Sequence, residues 1–201
     1  MKIKQNIQTS KTLRKYLNGV VFVFIDAANI FYSQKTLGWK LKFEYLYNYF
    51  EKNSNLGNIY FYYSQNESYP SQQRFFKKLK ELGYILRIKP LKIIKDLSGT
   101  TIHKGNLDVE LAIDVMKTLP QFDTMVLMSG DSDFEIVASE ARKSDKRVIV
   151  MSTRGHISRE LITVATKYFD LRKFKKEFSF PQSKTDIDNN KKSGAKPKPN
   201  S

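Results

Sequence analysis

Six short runs of β-branched and aromatic residues, separated by stretches with helical spacing, constrain this chain more than any other feature. They are VVFVFID (20–26), NIYFYYS (58–64), YILRIKP (84–90), MVLMS (125–129), RVIVMS (147–152) and a last short run near Tyr168–Leu171. Most are apolar throughout rather than apolar on alternate residues, which marks strands buried on both faces, as in a parallel sheet. Between them the spacing predicts helices near 42–53, over 70–82 closed by Gly83, and over 107–119, 132–143 and 158–166. Strand and helix in alternation predict an α/β domain, an open and mainly parallel sheet with helices on both faces. The segment KIIKDLSGTTIHKG (92–105) alternates around Ser98-Gly99 and reads as a small hairpin or a loop.

The apolar run Val20–Ile25 is six residues long and none downstream exceeds it, against the roughly 20 that cross a bilayer. The basic segment before it lacks the apolar stretch of a secretory signal, so a soluble, cytoplasmic protein without membrane association is expected. With no cysteine and only His103 and His156, disulfides, thiolate metal sites and a cysteine nucleophile are excluded. The net charge is +15, of which residues 1–17 carry +5 and residues 172–201 carry +6. The expected organisation is therefore a basic N-terminal extension (1–17), one domain (18–171), and a basic, disordered C-terminal tail (172–201). The tail either solubilises the chain or tethers a nucleic acid through phosphate charge.

In an open parallel sheet, sites form beyond the carboxyl ends of the strands where the strand order reverses. With the order 3-2-1-4-5, the first and fourth strands are neighbours at that point. Asp26 ends the first strand, and Asp131 and Asp133 follow the fourth. Asp108 reaches the same place by helical phase. At roughly 100° per residue, Leu111, Ala112, Val115 and Leu119 lie within about 60° of it, so it heads the apolar stripe that faces the sheet, whereas Asp114 is off that line. Clustered carboxylates repel unless a cation compensates them, and all-oxygen ligation suits one or two Mg²⁺ or Mn²⁺ ions held by Asp26, Asp108, Asp131 and Asp133. Each has a structural alternative: Asp26 as a turn cap, Asn29 as a helix N-cap, Asp131 or Ser132 as the cap of the next helix, and Asp133 or Asp108 as a first-turn acid.

The segments FIDAANIFY (24–32), KGNLDVELAIDVM (104–116), VLMSGDSDFEIVASEARKSDKRVIVM (126–151) and SRELITVATKYFDL (158–171) resemble the NYN domain, in its LabA-like branch, of the PIN-like nuclease superfamily. The resemblance spans roughly residues 18–171. It implies a Rossmann-like PIN fold and a metal-dependent ribonuclease with acids at Asp26, Asp108, Asp131 and Asp133 and polar support at Asn29. In related sequences the acid often directly follows a Gly-hydrophobic pair, whereas here Asn106-Leu107 intervenes before Asp108. Substrate contacts are expected from Asn29, Lys104, Ser129, Ser132, Arg154 and Ser158, with single-stranded RNA as partner and a homodimer left open. One outward aromatic of Tyr60–Tyr63 is a further candidate, for stacking on a base. The alternative function is a catalytically weak RNA-binding or regulatory module. A phosphohydrolase or nucleotide switch is disfavoured, because no glycine-rich phosphate loop follows the first strand.

Overall fold

The computed structural model describes residues 10–65, 69–95, 101–104 and 107–179. In chain order the elements are α1 (Ser10–Arg14), β1 (Val20–Asp26), α2 (Ala27–Leu37), α3 (Phe43–Asn53), β2 (Asn55–Gln65), α4 (Pro70–Glu81), β3 (Tyr84–Pro90), β4 (Lys92–Lys95), β5 (Thr101–Lys104), α5 (Asp108–Thr118), β6 (Thr124–Met128), α6 (Glu135–Lys143), β7 (Arg147–Ser152), α7 (Arg159–Val164), β8 (Lys167–Asp170) and α8 (Lys175–Phe178). Single 3₁₀ turns occupy Leu119–Gln121, Ser132–Phe134 and Leu171–Phe174.

Six strands form one parallel sheet in the order β3-β2-β1-β6-β7-β8. Counting only its own strands, this is the expected 3-2-1-4-5 order with β8 added beyond the fifth. Strands β4 and β5 form a separate antiparallel hairpin; its turn lies outside the described residues.

Strand β1 is apolar on every residue from 20 to 25 because it feeds two cores. Val21, Val23 and Ile25 join Ile59, Phe61, Met128 and Met151 under α2, α3, α4 and α8. Phe22 and Phe24 join Tyr60, Tyr62, Leu127 and Val150 under α5, α6 and α7. The two-residue side-chain period of a strand thus sends alternate residues to opposite helical layers. It also accounts for the aromatic run on β2: Phe61 is buried on one face, Tyr60 and Tyr62 on the other, and Tyr63 is half-buried.

Between β1 and β2 the structure has two helices where the spacing predicts one. Helix α2 begins directly after Asp26, which is its N-cap, and ends at Gly38, whose φ of +67° is the left-handed conformation that glycine adopts without strain. The packed domain also reaches past both expected boundaries. Leu13 and Leu17 are buried, with Tyr16 edge-on to Phe169, and Phe174 and Phe178 are buried where the Lys42 N–H donates to the Phe178 carbonyl at 2.7 Å. No helix among the described residues is long and apolar enough to cross a membrane.

Candidate active site

Every acid expected in the site lies at the carboxyl edge of the sheet, where β1 and β6 run side by side. Asp26 terminates β1, and its Oδ1 accepts from the Asn29 N–H at 3.1 Å. Its Oδ2 accepts from the Ser129 hydroxyl at 2.9 Å, and the same Ser129 oxygen accepts from the Asp131 N–H at 3.2 Å. Asp131 Oδ1 accepts from the Asp133 N–H at 3.1 Å and caps the Ser132–Phe134 turn. Asn29 Oδ1 takes the Gly130 N–H at 3.1 Å, which ties the first turn of α2 to the loop after β6. The loop 129–133 is therefore built outward from β1 by side-chain hydrogen bonds.

Asp108 is the first residue of α5, so the intervening Asn106-Leu107 does not move it out of reach. Carboxylate oxygens of Asp108, Asp131 and Asp133 all lie within 4.8 Å of one another. Helical phase separates it from Asp114, as expected. Leu111 and Val115 are buried along its stripe, while Asp114 turns toward β2 and β3, where it accepts from Arg87 Nε at 2.7 Å, Arg87 Nη2 at 3.2 Å and the Tyr62 hydroxyl at 3.0 Å.

Asp26 stands one step behind the three gathered carboxylates and is linked to Asp131 through Ser129. Burial pushes its carboxyl above the usual carboxylate range and the charge of Asp131 adds to this, against the opposing hydrogen bonds from Asn29 and Ser129. A raised folded-state value means that the native protein holds a proton the unfolded chain has released, so stability falls as pH rises from near the ordinary value of 3.8 through the folded one. Without divalent cations, Asp26→Asn is expected to raise the melting temperature at pH 7, with the gain disappearing in acid below the ordinary value. Melts across a pH series test this, and a lower melting temperature at pH 7 would show that the Ser129 and Asn29 hydrogen bonds outweigh the cost of burying the charge.

The expected substrate contacts divide in two. Asn29, Ser129 and Ser158 are parts of the frame: Ser158 Oγ accepts from Leu161 N–H at 3.1 Å as the cap of α7, and its own N–H donates to the Gly130 carbonyl at 2.9 Å. Ser132 and Arg154 are exposed. Lys104 ends β5, and its side chain lies outside the described residues. Two features escaped the sequence reading. His156 is held against α2, its Nε2 2.7 Å from the Thr36 hydroxyl and its ring edge-on to Tyr32, and Gly130 packs against the loop after β7.

A profile of the NYN domain family matches residues 20–172, which is most of the chain. The chain belongs to the NYN domain family. It is 37% identical over 152 residues to the low amplitude and bright protein LabA of Synechococcus elongatus, covering 74% of this chain and 82% of that protein. A protein of unknown function from Vibrio parahaemolyticus has the same fold, with a TM-score of 0.68 at 19% identity over 82% of this chain and 98% of its own. Membership places the chain in a PIN-like nuclease and RNA-binding family whose nucleases generally use divalent metals. The site fits that chemistry: among the described residues, its gathered donors are carboxylate oxygens with no histidine or sulfur, the set a hard cation prefers.

Proposed function

We propose that this NYN domain is a cytoplasmic endoribonuclease that hydrolyses phosphodiester bonds of single-stranded RNA with one or two Mg²⁺ or Mn²⁺ ions. The observation that carries the proposal is the triangle of Asp108, Asp131 and Asp133 at the switch point of the sheet. These three would hold the ion. When bound, it supplies an activated water and charge stabilisation at the leaving oxygen, so that no protein nucleophile is needed.

The chain's own contribution is position. Asp26 fixes Ser129, and Ser129 fixes the backbone of Asp131, so the ligand geometry is set by β1 before any metal arrives. Ser132, Arg154 and Lys104 are the groups we assign to phosphate oxygens beside the acids. Asp26 itself is engaged by Ser129 and Asn29, and this favours as second reading an RNA-binding module with weak catalysis.

End-labelled single-stranded RNA, double-stranded RNA and single-stranded DNA, incubated with the protein in EDTA, Mg²⁺ or Mn²⁺, separate the two readings. The expected result is internal cleavage of single-stranded RNA in Mg²⁺ or Mn²⁺ and none in EDTA. Retention of RNA without cleavage in either metal would select the binding module, and cleavage undiminished by EDTA would refute the metal site.

A further inference from the structure

The carboxyl edge continues beyond the acids, and one loop connects its two halves. Residues 153–158 leave β7 beside Gly130, where Ser158 N–H donates to the Gly130 carbonyl at 2.9 Å. Toward its start the same loop runs beside β8, because Ser152, the last residue of β7, pairs with Asp170, the last residue of β8. Asp170 is only 5% exposed and also grips Arg172, with Nε at 2.9 and 3.1 Å, Nη2 at 2.5 Å and the backbone N–H at 3.1 Å. Burial alone would raise the Asp170 carboxyl; the Arg172 guanidinium and backbone N–H outweigh it and hold the carboxyl below its ordinary range.

The loop after β7 and the turn after β8 thus leave neighbouring strands, and each presents an arginine to solvent. Arg154 is exposed and the Arg172 side chain is 46% exposed. Each lies two residues beyond the paired Ser152 and Asp170, which puts the two arginines just past the ends of neighbouring strands. Capping the Leu171–Phe174 turn needs only the backbone N–H of Arg172, so the additional grip on its guanidinium is not explained by the cap. What that grip does is order a long side chain that stays partly exposed. Between β6 and β8 lie two strand spacings, about 10 Å, which a short stretch of extended single strand covers. Ordering the donors beforehand lowers the entropy lost when a phosphate docks.

We infer that Arg154 and Arg172 form a backbone-phosphate site for a single-stranded nucleic acid, so that the strand runs from the acids across β7 to β8. The direction of the strand rests on the proposed nuclease reading; the phosphate contact does not. Binding of a labelled 12-nucleotide RNA, read by fluorescence anisotropy in EDTA, tests the contact apart from cleavage. Arg154→Gln removes only an exposed side chain. The double variant Asp170→Asn with Arg172→Gln removes the second guanidinium together with the carboxylate it compensates, and melting curves verify that both fold. Each is expected to weaken binding roughly tenfold, the scale of one charge-assisted hydrogen bond, and to reduce the slope of log affinity against log salt by about 0.7. Wild-type affinity and slope in folded Arg154→Gln overturn the inference, whatever the cleavage assay gives. Saturable binding of inorganic phosphate, lost in the same variant while RNA affinity is kept, would assign the point to a small phosphorylated ligand instead and overturn it as well.

Discussion

Asp131→Asn is expected to lower cleavage of single-stranded RNA by roughly a hundredfold or more while leaving the fold intact, the scale on which a removed charge-stabilising group acts at a transition state. The substitution keeps the local backbone, because the asparagine oxygen can still accept the Asp133 N–H and the Asp131 N–H remains on Ser129. What disappears is one negative charge from the triangle with Asp108 and Asp133. Asp108→Asn should behave alike. Asp114→Asn should not: its carboxylate belongs to Arg87 and Tyr62, so it is expected to cost about 1 kcal/mol of stability, discounted for the exposure of Arg87, and leave Mn²⁺ affinity alone. Single-turnover cleavage rates and calorimetric Mn²⁺ titrations of the three variants decide the matter. Wild-type cleavage by Asp131→Asn would remove the reaction from this site, and equal losses of Mn²⁺ affinity in Asp108→Asn and Asp114→Asn would break the helical-phase assignment.

The sheet was legible because its strands are buried on both faces. A run such as VVFVFID admits no solvent face and marks a central strand of a parallel sheet, and the switch point beside Asp26 came from the strand order supposed for that fold class. Helix α2 was not legible for a related reason. Asp26 serves as strand end and helix cap at once, so no turn residues announce the helix, and only Ala27, Ile30 and Ser33 of its eleven residues are buried. At the ends of the chain, single apolar residues sit among basic ones, and charge masked their packing: Leu13, Leu17, Phe174 and Phe178 read as parts of an extension and a tail. A truncation that spares the core must therefore stop short of α8 and keep Phe178.

Within the site, residue type and helical phase indicated where the carboxylates gather, but not which side chains would be used up in holding the loop. Asp26 and Asp131 both act as caps while joined through Ser129, so each fills its structural alternative at the edge where the carboxylates gather. Asn29 and Ser158, read as substrate contacts, are recognisable as frame only when Gly130 is seen between them. Long-range pairing of this kind leaves no local pattern.

The largest stability loss should come from Gly130→Ala, and the reason is space rather than backbone conformation, since Gly130 is not among the residues with positive φ. A Cβ there would lie 1.6 Å from the His156 carbonyl oxygen and 2.7 Å from Ser152 Oγ, so the backbone of the 153–158 loop has to move. That loop is not free to do so. The His156 N–H donates to the Thr153 carbonyl at 2.9 Å, its Nε2 meets the Thr36 hydroxyl at 2.7 Å, and Ser158 N–H is bonded to the Gly130 carbonyl itself. Relief of the clash therefore breaks contacts on β6, β7 and α2 together, and a cost of about 3 kcal/mol or more is expected. For a domain of this size that lowers the melting temperature by roughly 6–12 °C. Gly155→Ala is the matched control: its φ is +94° but nothing lies within 4 Å of the added carbon, so its penalty is conformational, about 1 kcal/mol. Because the displaced loop also carries Arg154, Gly130→Ala protein that remains folded at low temperature should bind RNA more weakly than Gly155→Ala. A melting temperature within 2 °C of wild type would show that the loop gives way at little cost, and the frame connecting the acids to the 153–158 loop would then be too soft to position a strand across it.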